Sequence, residues 1–141
     1  MDDAQNMAAG IAGVTTNEDQ PMILIVEDYS DTRALLCTLL RRRGFKVVEA
    51  ENGKEAIREA SLYNPDLILM DLAMPEMDGV EAVRRIRNVP KLADTPIFIV
   101  SAYVTDAVRA DVLSAGGAEV FLKPFNTDRL LESIERALNR S

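Results

Sequence analysis

The sequence predicts an α/β fold, a parallel sheet with helices on both faces, from three observations. From Pro21 onward, short apolar runs alternate with segments of helical periodicity, the pattern of repeated strand-crossover-strand units. The run Leu67 to Met70 is nearly continuous hydrophobe, as befits a central strand covered on both faces. Four of the runs end on polar residues of chemical use: Glu27-Asp28, Asp71, Ser101-Ala102 and Lys123-Pro124. In open α/β sheets the carboxyl ends of the strands form the ligand-binding edge.

Met22 to Val26 reads as the first strand, followed by a helix from about Asp31 to Arg43 with Leu36, Leu39 and Leu40 as its apolar stripe and Ser30 as N-cap. Gly44 stops it. Phe45 to Glu49 is the second strand, and Asn52-Gly53-Lys54-Glu55 resembles a capped start for a helix with Ala56, Ile57 and Ala60 on one side. Asn64-Pro65 breaks that helix before the third strand, Asp66 to Met70.

A loop through Met74-Pro75 and Asp78-Gly79 leads to a third helix with Val80, Val83 and Ile86 inward and Arg84, Arg85 and Arg87 on a solvated face. Ile97 to Val100 is the fourth strand, and Thr105 to Ala115 is a helix ended by Gly116-Gly117. The fifth strand, Glu119 to Leu122, is the shortest. The last helix starts near Asn126 and carries Leu130, Leu131, Ile134, Ala137 and Leu138 at helical spacing.

A length of 141 residues with 48% hydrophobic content provides one well-buried core. The expected organisation is a mobile tail over residues 1–20 and one domain over 21–141, since the small and polar start has neither the basic opening nor the apolar stretch of a secretory signal. No effector domain is expected after Ser141, and Met1 leads to the expectation of a natural single-domain protein over a fragment. With no histidine present, Ser-His-Asp catalysis, histidine-ligated zinc and a phosphohistidine carrier role are excluded. A formal charge of -7 opposes general nucleic-acid binding, and Arg41-Arg42-Arg43 complements the dipole of a helix end. No run approaches a membrane span. The lone Cys37 permits no internal disulfide, so a reducing, cytoplasmic setting is expected.

If the strand ends converge, Glu27, Asp28 and Asp71 offer the hard oxygen ligands that magnesium, or manganese in its place, prefers. Three acids packed together without a cation would repel one another. Lys123 offsets only part of that charge. An aspartate can act as a nucleophile and form an acyl phosphate, because phosphoryl transfer depends mainly on positioning and charge neutralisation. Asp71 stands alone at the end of the most buried strand and is the best acceptor, with Glu27-Asp28 suited to orienting the metal. Lys123 would contact phosphoryl oxygens, Ser101 would donate a hydrogen bond to one of them, and Ala102 leaves room for the group.

Taken together, Glu27-Asp28, Asp71 with Met74-Pro75 and Asp78-Gly79, Ser101-Ala102, Ala115-Gly116 and Lys123-Pro124-Phe125 resemble the receiver domain of two-component response regulators, of the chemotaxis-regulator type, over about Pro21 to Asn139. The resemblance implies a flavodoxin-like sheet of strand order 2-1-3-4-5. It also implies that Asp71 accepts a phosphoryl group from the phosphohistidine of a sensor histidine kinase or a histidine phosphotransfer protein. Asp28, Asp71 and the backbone carbonyl of Ala73 would ligate the metal, with Glu27 acting mostly through water. Ser101 would move toward the phosphoryl group, altering affinity for a downstream effector protein at the surface of the fourth helix, fifth strand and fifth helix. The family's usual aromatic is replaced by Val120, and Phe121 is expected to point to the opposite face; Tyr103 is a candidate substitute. Ala73 and Tyr103 occupy the positions that tune phosphoryl-group lifetime. An excised receiver of a hybrid kinase, a phosphorylation-independent docking module and an acid-metal phosphatase are the alternatives.

Overall fold

The computed structural model describes residues 20–73 and 77–138. The expected tail, apart from Gln20, and the Met74-Pro75 pair lie outside those residues. Five strands, β1 (Met22–Val26), β2 (Lys46–Ala50), β3 (Leu67–Asp71), β4 (Ile97–Ser101) and β5 (Glu119–Leu122), alternate with α1 (Ser30–Arg42), α2 (Gly53–Tyr63), α3 (Gly79–Arg87), α4 (Asp106–Ala115) and α5 (Thr127–Ala137). A 3-10 turn, Pro90–Leu92, lies between α3 and β4. The strands form one sheet in the order β2-β1-β3-β4-β5, and every pairing is parallel.

Alternate residues of each strand enter two cores, because strand side chains point to opposite faces in turn. Ile23, Ile25, Leu67, Leu69, Phe98 and Val100 pack with Leu36, Cys37 and Leu40 of α1 and Leu130, Leu131 and Ile134 of α5. Leu24, Val26, Ile68, Met70, Ile97 and Ile99 pack with Ala56 and Ala60 of α2, Ala82, Val83 and Ile86 of α3, and Val112 of α4. All five residues of β3 and of β4 are buried, which explains why the first four of each are apolar.

The caps follow local chemistry. Asn52 accepts a hydrogen bond from the Glu55 amide at 2.9 Å, while Glu55 reaches back to the Glu51 amide at 2.9 Å. Asp78, Thr105 and Asn126 cap α3, α4 and α5 in the same way. Ser30 does not cap α1: Tyr29 holds that position without a side-chain bond, and Ser30 is the first helical residue. The extended conformation expected of a cap falls one residue early, because the Tyr29 amide is already bonded to Glu27 Oε2 at 3.1 Å.

Three strands also run one residue further than their hydropathy suggests. Asp71 pairs with Val100, Ser101 with Leu122 and Val26 with Ala50, so Asp71 and Ser101 belong to the sheet ladder. Arg87 is the other departure. Its guanidinium turns away from solvent and donates to the Gly116 carbonyl at 2.7 and 3.1 Å and to the Leu92 carbonyl at 2.8 Å.

Candidate functional site: an acidic pocket at the sheet edge

The chain leaves β1 toward β2 on one side and returns through α2 to β3 on the other, so the order reverses between β1 and β3. Such a reversal opens a crevice beyond the carboxyl ends of the two strands. Glu27 and Asp28 follow β1, and Asp71 ends β3. One carboxylate oxygen from each of these three residues lies within 4.8 Å of the others.

Residue parity explains which side chains meet. Glu27, Asp71 and Lys123 continue the alternation of Ile25, Leu69 and Phe121, so all three belong to the α1 and α5 side of the sheet. Lys123 Nζ stands 3.0 Å from Glu27 Oε1 and 3.3 Å from Asp71 Oδ2. Asp71 Oδ1 accepts the Ala73 amide at 3.1 Å. Glu27 and Asp71 are buried, whereas Asp28 and Ala73 are exposed at the rim.

Ser101 has the parity of Ile97 and Ile99 and is buried toward the other core. Its hydroxyl lies 3.5 Å from the Tyr103 carbonyl, and its own carbonyl accepts the Lys123 amide at 2.7 Å. It therefore adjoins the cluster through the backbone of Lys123. Val120 packs into the α2, α3 and α4 core. Phe121 faces the opposite way, with its ring 5.7 Å from that of Phe98, as the alternation required. Tyr103 is 78% exposed.

Charge is unevenly shared in the pocket. Burial pushes the Glu27 carboxyl above its ordinary range despite hydrogen bonds from Lys123 and the Tyr29 amide, and the Asp71 charge adds to the rise. For Lys123, burial pulls downward, but the hydrogen bond to Glu27 and the charge of Asp71 outweigh it and hold the ammonium above its usual value. The two partners of this ion pair do not mirror each other because burial outweighs the Lys123 contact at Glu27, whereas at Lys123 two carboxylates outweigh burial.

One residue at the site carried no sequence signal. Arg33 of α1 donates to the Glu27 carbonyl at 2.7 Å and to Glu49 Oε1 at 3.0 Å. An arginine in the first turns of an amphipathic helix reads as solvated unless its spatial partners are known.

A doubly wound α/β domain with three clustered acids and a lysine at its switch point has the architecture of a phosphate-handling signalling domain. The response regulator receiver domain family matches residues 23–135, and the chain belongs to that family. It is 40% identical over 118 residues to the chemotaxis protein CheY of Bacillus subtilis, covering 83% of this chain and 97% of that protein. Among solved structures, CheY4 of Vibrio cholerae superposes with a TM-score of 0.80 at 28% identity, covering 84% of this chain and 98% of the other. The receiver domain of the sensor histidine kinase PA1611 from Pseudomonas aeruginosa, solved with magnesium coordinated in its active-site cleft, superposes with a TM-score of 0.78 at 31% identity over 84% of this chain and 98% of that one. Receiver domains of this family act as phosphoacceptor switches in two-component signalling.

Proposed function

We propose that Asp71 is the phosphoacceptor of a single-domain response regulator, taking its phosphoryl group from a sensor histidine kinase or histidine phosphotransfer protein in the cytoplasm. The observation that carries this reading is the contact of Lys123 with Asp71 and Glu27 in a buried acidic pocket. The donor set suits a hard divalent cation. Three carboxylates cluster while one lysine pairs with two of them, and the Glu27 carboxyl is held above its ordinary range by burial and by the Asp71 charge, a strain that a cation relieves.

Asp28, Asp71 and the Ala73 carbonyl would hold magnesium or manganese, with Glu27 acting mostly through water. Such an ion, when bound, neutralises charge on the phosphoryl oxygens. An Asp71 carboxylate oxygen attacks phosphorus as the P–N bond of the donor phosphohistidine breaks. The electron pair leaves on the imidazole nitrogen, which takes a proton from solvent. Lys123 holds a phosphoryl oxygen, and the Ala73 amide keeps the other Asp71 oxygen oriented. The chain thus promotes its own phosphorylation and, by admitting water, its own dephosphorylation.

The transferred group adds roughly -1.5 to -2 charges beside Lys123. Ser101 exchanges its long contact with the Tyr103 carbonyl for a phosphoryl oxygen, and the start of α4 follows. That movement alters affinity for an effector protein at the α4, β5 and α5 surface, with Val120 in place of the aromatic that accompanies this step in relatives.

Intact mass after incubation with magnesium and acetyl phosphate tests the reading. One phosphoryl adduct is expected on the wild type and none on Asp71→Asn. No adduct on the wild type, or one that survives the substitution, overturns it; steady release of phosphate from phosphomonoesters would mark a phosphatase instead.

A further inference from the structure

Helical side chains lean toward the helix N-terminus, and this brings Arg33 back from the first turn of α1 over the end of β1. Its side chain is 14% exposed and is held at three points. Nη1 donates to the Glu27 carbonyl at 2.7 Å, Nε donates to Glu49 Oε1 at 3.0 Å, and Nη2 lies 3.9 Å from Glu51 Oε2. On its other side, the Glu27 amide donates to the Ala50 carbonyl at 3.0 Å. The backbone of Glu27 is therefore clamped between β2 and α1 at the point where the chain turns to Asp28. Asp28 itself is exposed, so the backbone of Glu27 sets where its side chain starts and which rotamers bring its carboxylate to the pocket.

We propose that Arg33 is a positioning residue of the cation site. It fixes the Glu27 carbonyl and thereby aims the Asp28 carboxylate at the pocket, without touching the ion. The inference rests on the reading of the acidic pocket as a divalent-cation site.

Two physical effects of Arg33 have opposite signs. A guanidinium beside three carboxylates repels an incoming cation, so deleting its charge would tighten binding. A guanidinium that orders the ligands does the reverse. Glu49 and Glu51 neutralise the charge of Arg33 while leaving its hydrogen bond to the Glu27 carbonyl in place, so ordering dominates. Residues that orient metal ligands from behind typically change metal affinity by about 10- to 100-fold when replaced.

Calorimetric titration with magnesium, on unphosphorylated wild type, Arg33→Gln, Arg33→Lys and Glu49→Gln at one ionic strength, separates these effects. Arg33→Gln is expected to bind magnesium about tenfold more weakly, at the low end of that range because the contact is to backbone. Arg33→Lys keeps the charge but not the fork of donors, and recovers only part of the loss. Glu49→Gln keeps an acceptor for Nε but removes its charge, leaves the guanidinium less compensated and more loosely held, and weakens binding by a smaller factor. With acetyl phosphate as donor, the half-saturating magnesium concentration shifts in step, while the rate at saturating magnesium stays within about twofold, a split that general loss of structure does not produce.

Equal or tighter binding by Arg33→Gln, with the wild type binding normally, overturns the proposal. Should that variant fail to fold, unchanged affinity in both Arg33→Lys and Glu49→Gln overturns it equally. A wild type that binds no magnesium defeats the reading of the site itself, and the inference falls with it.

Discussion

Lys123 Nζ lies 3.3 Å from Asp71 Oδ2 although the two residues stand at the ends of different strands, β5 and β3, with β4 between them. The contact spans that intervening strand because Lys123 and Asp71 share a parity while Ser101, at the end of β4, faces the other way. The same ammonium also reaches Glu27, so the pocket holds more negative charge than its lysine cancels.

Replacing Asp71 with Asn removes both its 3.3 Å ion pair with Lys123 and its repulsion of Glu27, two opposing terms, so the stability of the metal-free protein at pH 7 is expected to change by no more than about 1 kcal/mol. Lys123 keeps its partner in Glu27, and one source of the rise in the Glu27 pKa disappears. The sign with pH follows. Glu27 is raised from 4.5 in the folded state, so over the window above 4.5 the folded protein holds this proton more tightly than the unfolded chain, and wild-type stability falls as pH climbs through it. The variant should show a shallower fall. Urea denaturation in a chelator across that range measures both, and an Asn variant whose stability falls as steeply as that of the wild type contradicts the charge argument.

Cys37 is 2% exposed between α1 and the sheet, and burial, followed by the nearby Glu49 charge, pushes its thiol up to about 11 from 9.0. At pH 8 the folded thiolate fraction is then about a hundredth of that in the unfolded chain, since reactivity follows the thiolate. Iodoacetamide should label the native protein at least ~100-fold more slowly than the urea-unfolded protein. Because the unfolded thiol ionises first, native stability should also decline as pH rises above 9.0. Rapid labelling under native conditions would show that α1 opens locally.

Arg87 ties the end of α3 to the αL cap of α4 at Gly116, where φ is +115°. Its desolvated guanidinium, with a pKa pulled down by burial and partly restored by Asp94, makes charge-assisted bonds to two backbone carbonyls. Arg87→Ala is expected to cost about 2–3 kcal/mol, since it removes the side-chain donor of the Gly116 carbonyl and leaves the Leu92 carbonyl only the Thr95 amide at 3.3 Å. Arg87→Lys should recover less than half, because an ammonium lacks the planar fork. Chemical denaturation gives the loss, and hydrogen exchange should show it concentrated at the end of α4 and the start of β5; uniform loosening would contradict a local tie.

Arg87 also marks where the sequence stops being readable. The strands, the helices and their succession along the chain were legible because unbroken apolar runs, helical stripes and Gly, Pro and Asn breaks are local signals, whereas the order of the strands in the sheet came with the family resemblance. The pocket was legible for a related reason: Glu27, Asp28, Asp71 and Lys123 each follow or end a strand, and parallel strands bring such ends together. Arg33 and Arg87 were not, because an arginine on a helix looks alike whether it faces water or a carbonyl 29 residues away. The ends of β3 and β4 were placed one residue short for the same cause. Asp71 and Ser101 are polar, and only their neighbours' register draws them into the ladder.

Gly79 sets the height of Asp71 by close approach. A Cβ there would lie 2.8 Å from Leu72 Cα and Cδ2 and 3.0 Å from the Asp71 carbonyl oxygen, and the Gly79 amide donates to the Leu72 carbonyl at 3.0 Å. Gly44 offers the opposite case, with φ at +90° and nothing within 4 Å of a built Cβ. Gly79→Ala therefore costs space and Gly44→Ala costs conformation. Each is expected to destabilise by about 1–3 kcal/mol, so stability alone does not separate them. The site does: displacing the Asp71 backbone should slow phosphorylation from acetyl phosphate by about tenfold or more at saturating magnesium, because misplacement of a reacting group is heavily penalised. Gly44→Ala, at the far end of α1, should leave that rate unchanged. Equal rates in the two variants, compared at a temperature where both remain folded, would mean that the β3-to-α3 turn yields around the new methyl group without moving Asp71.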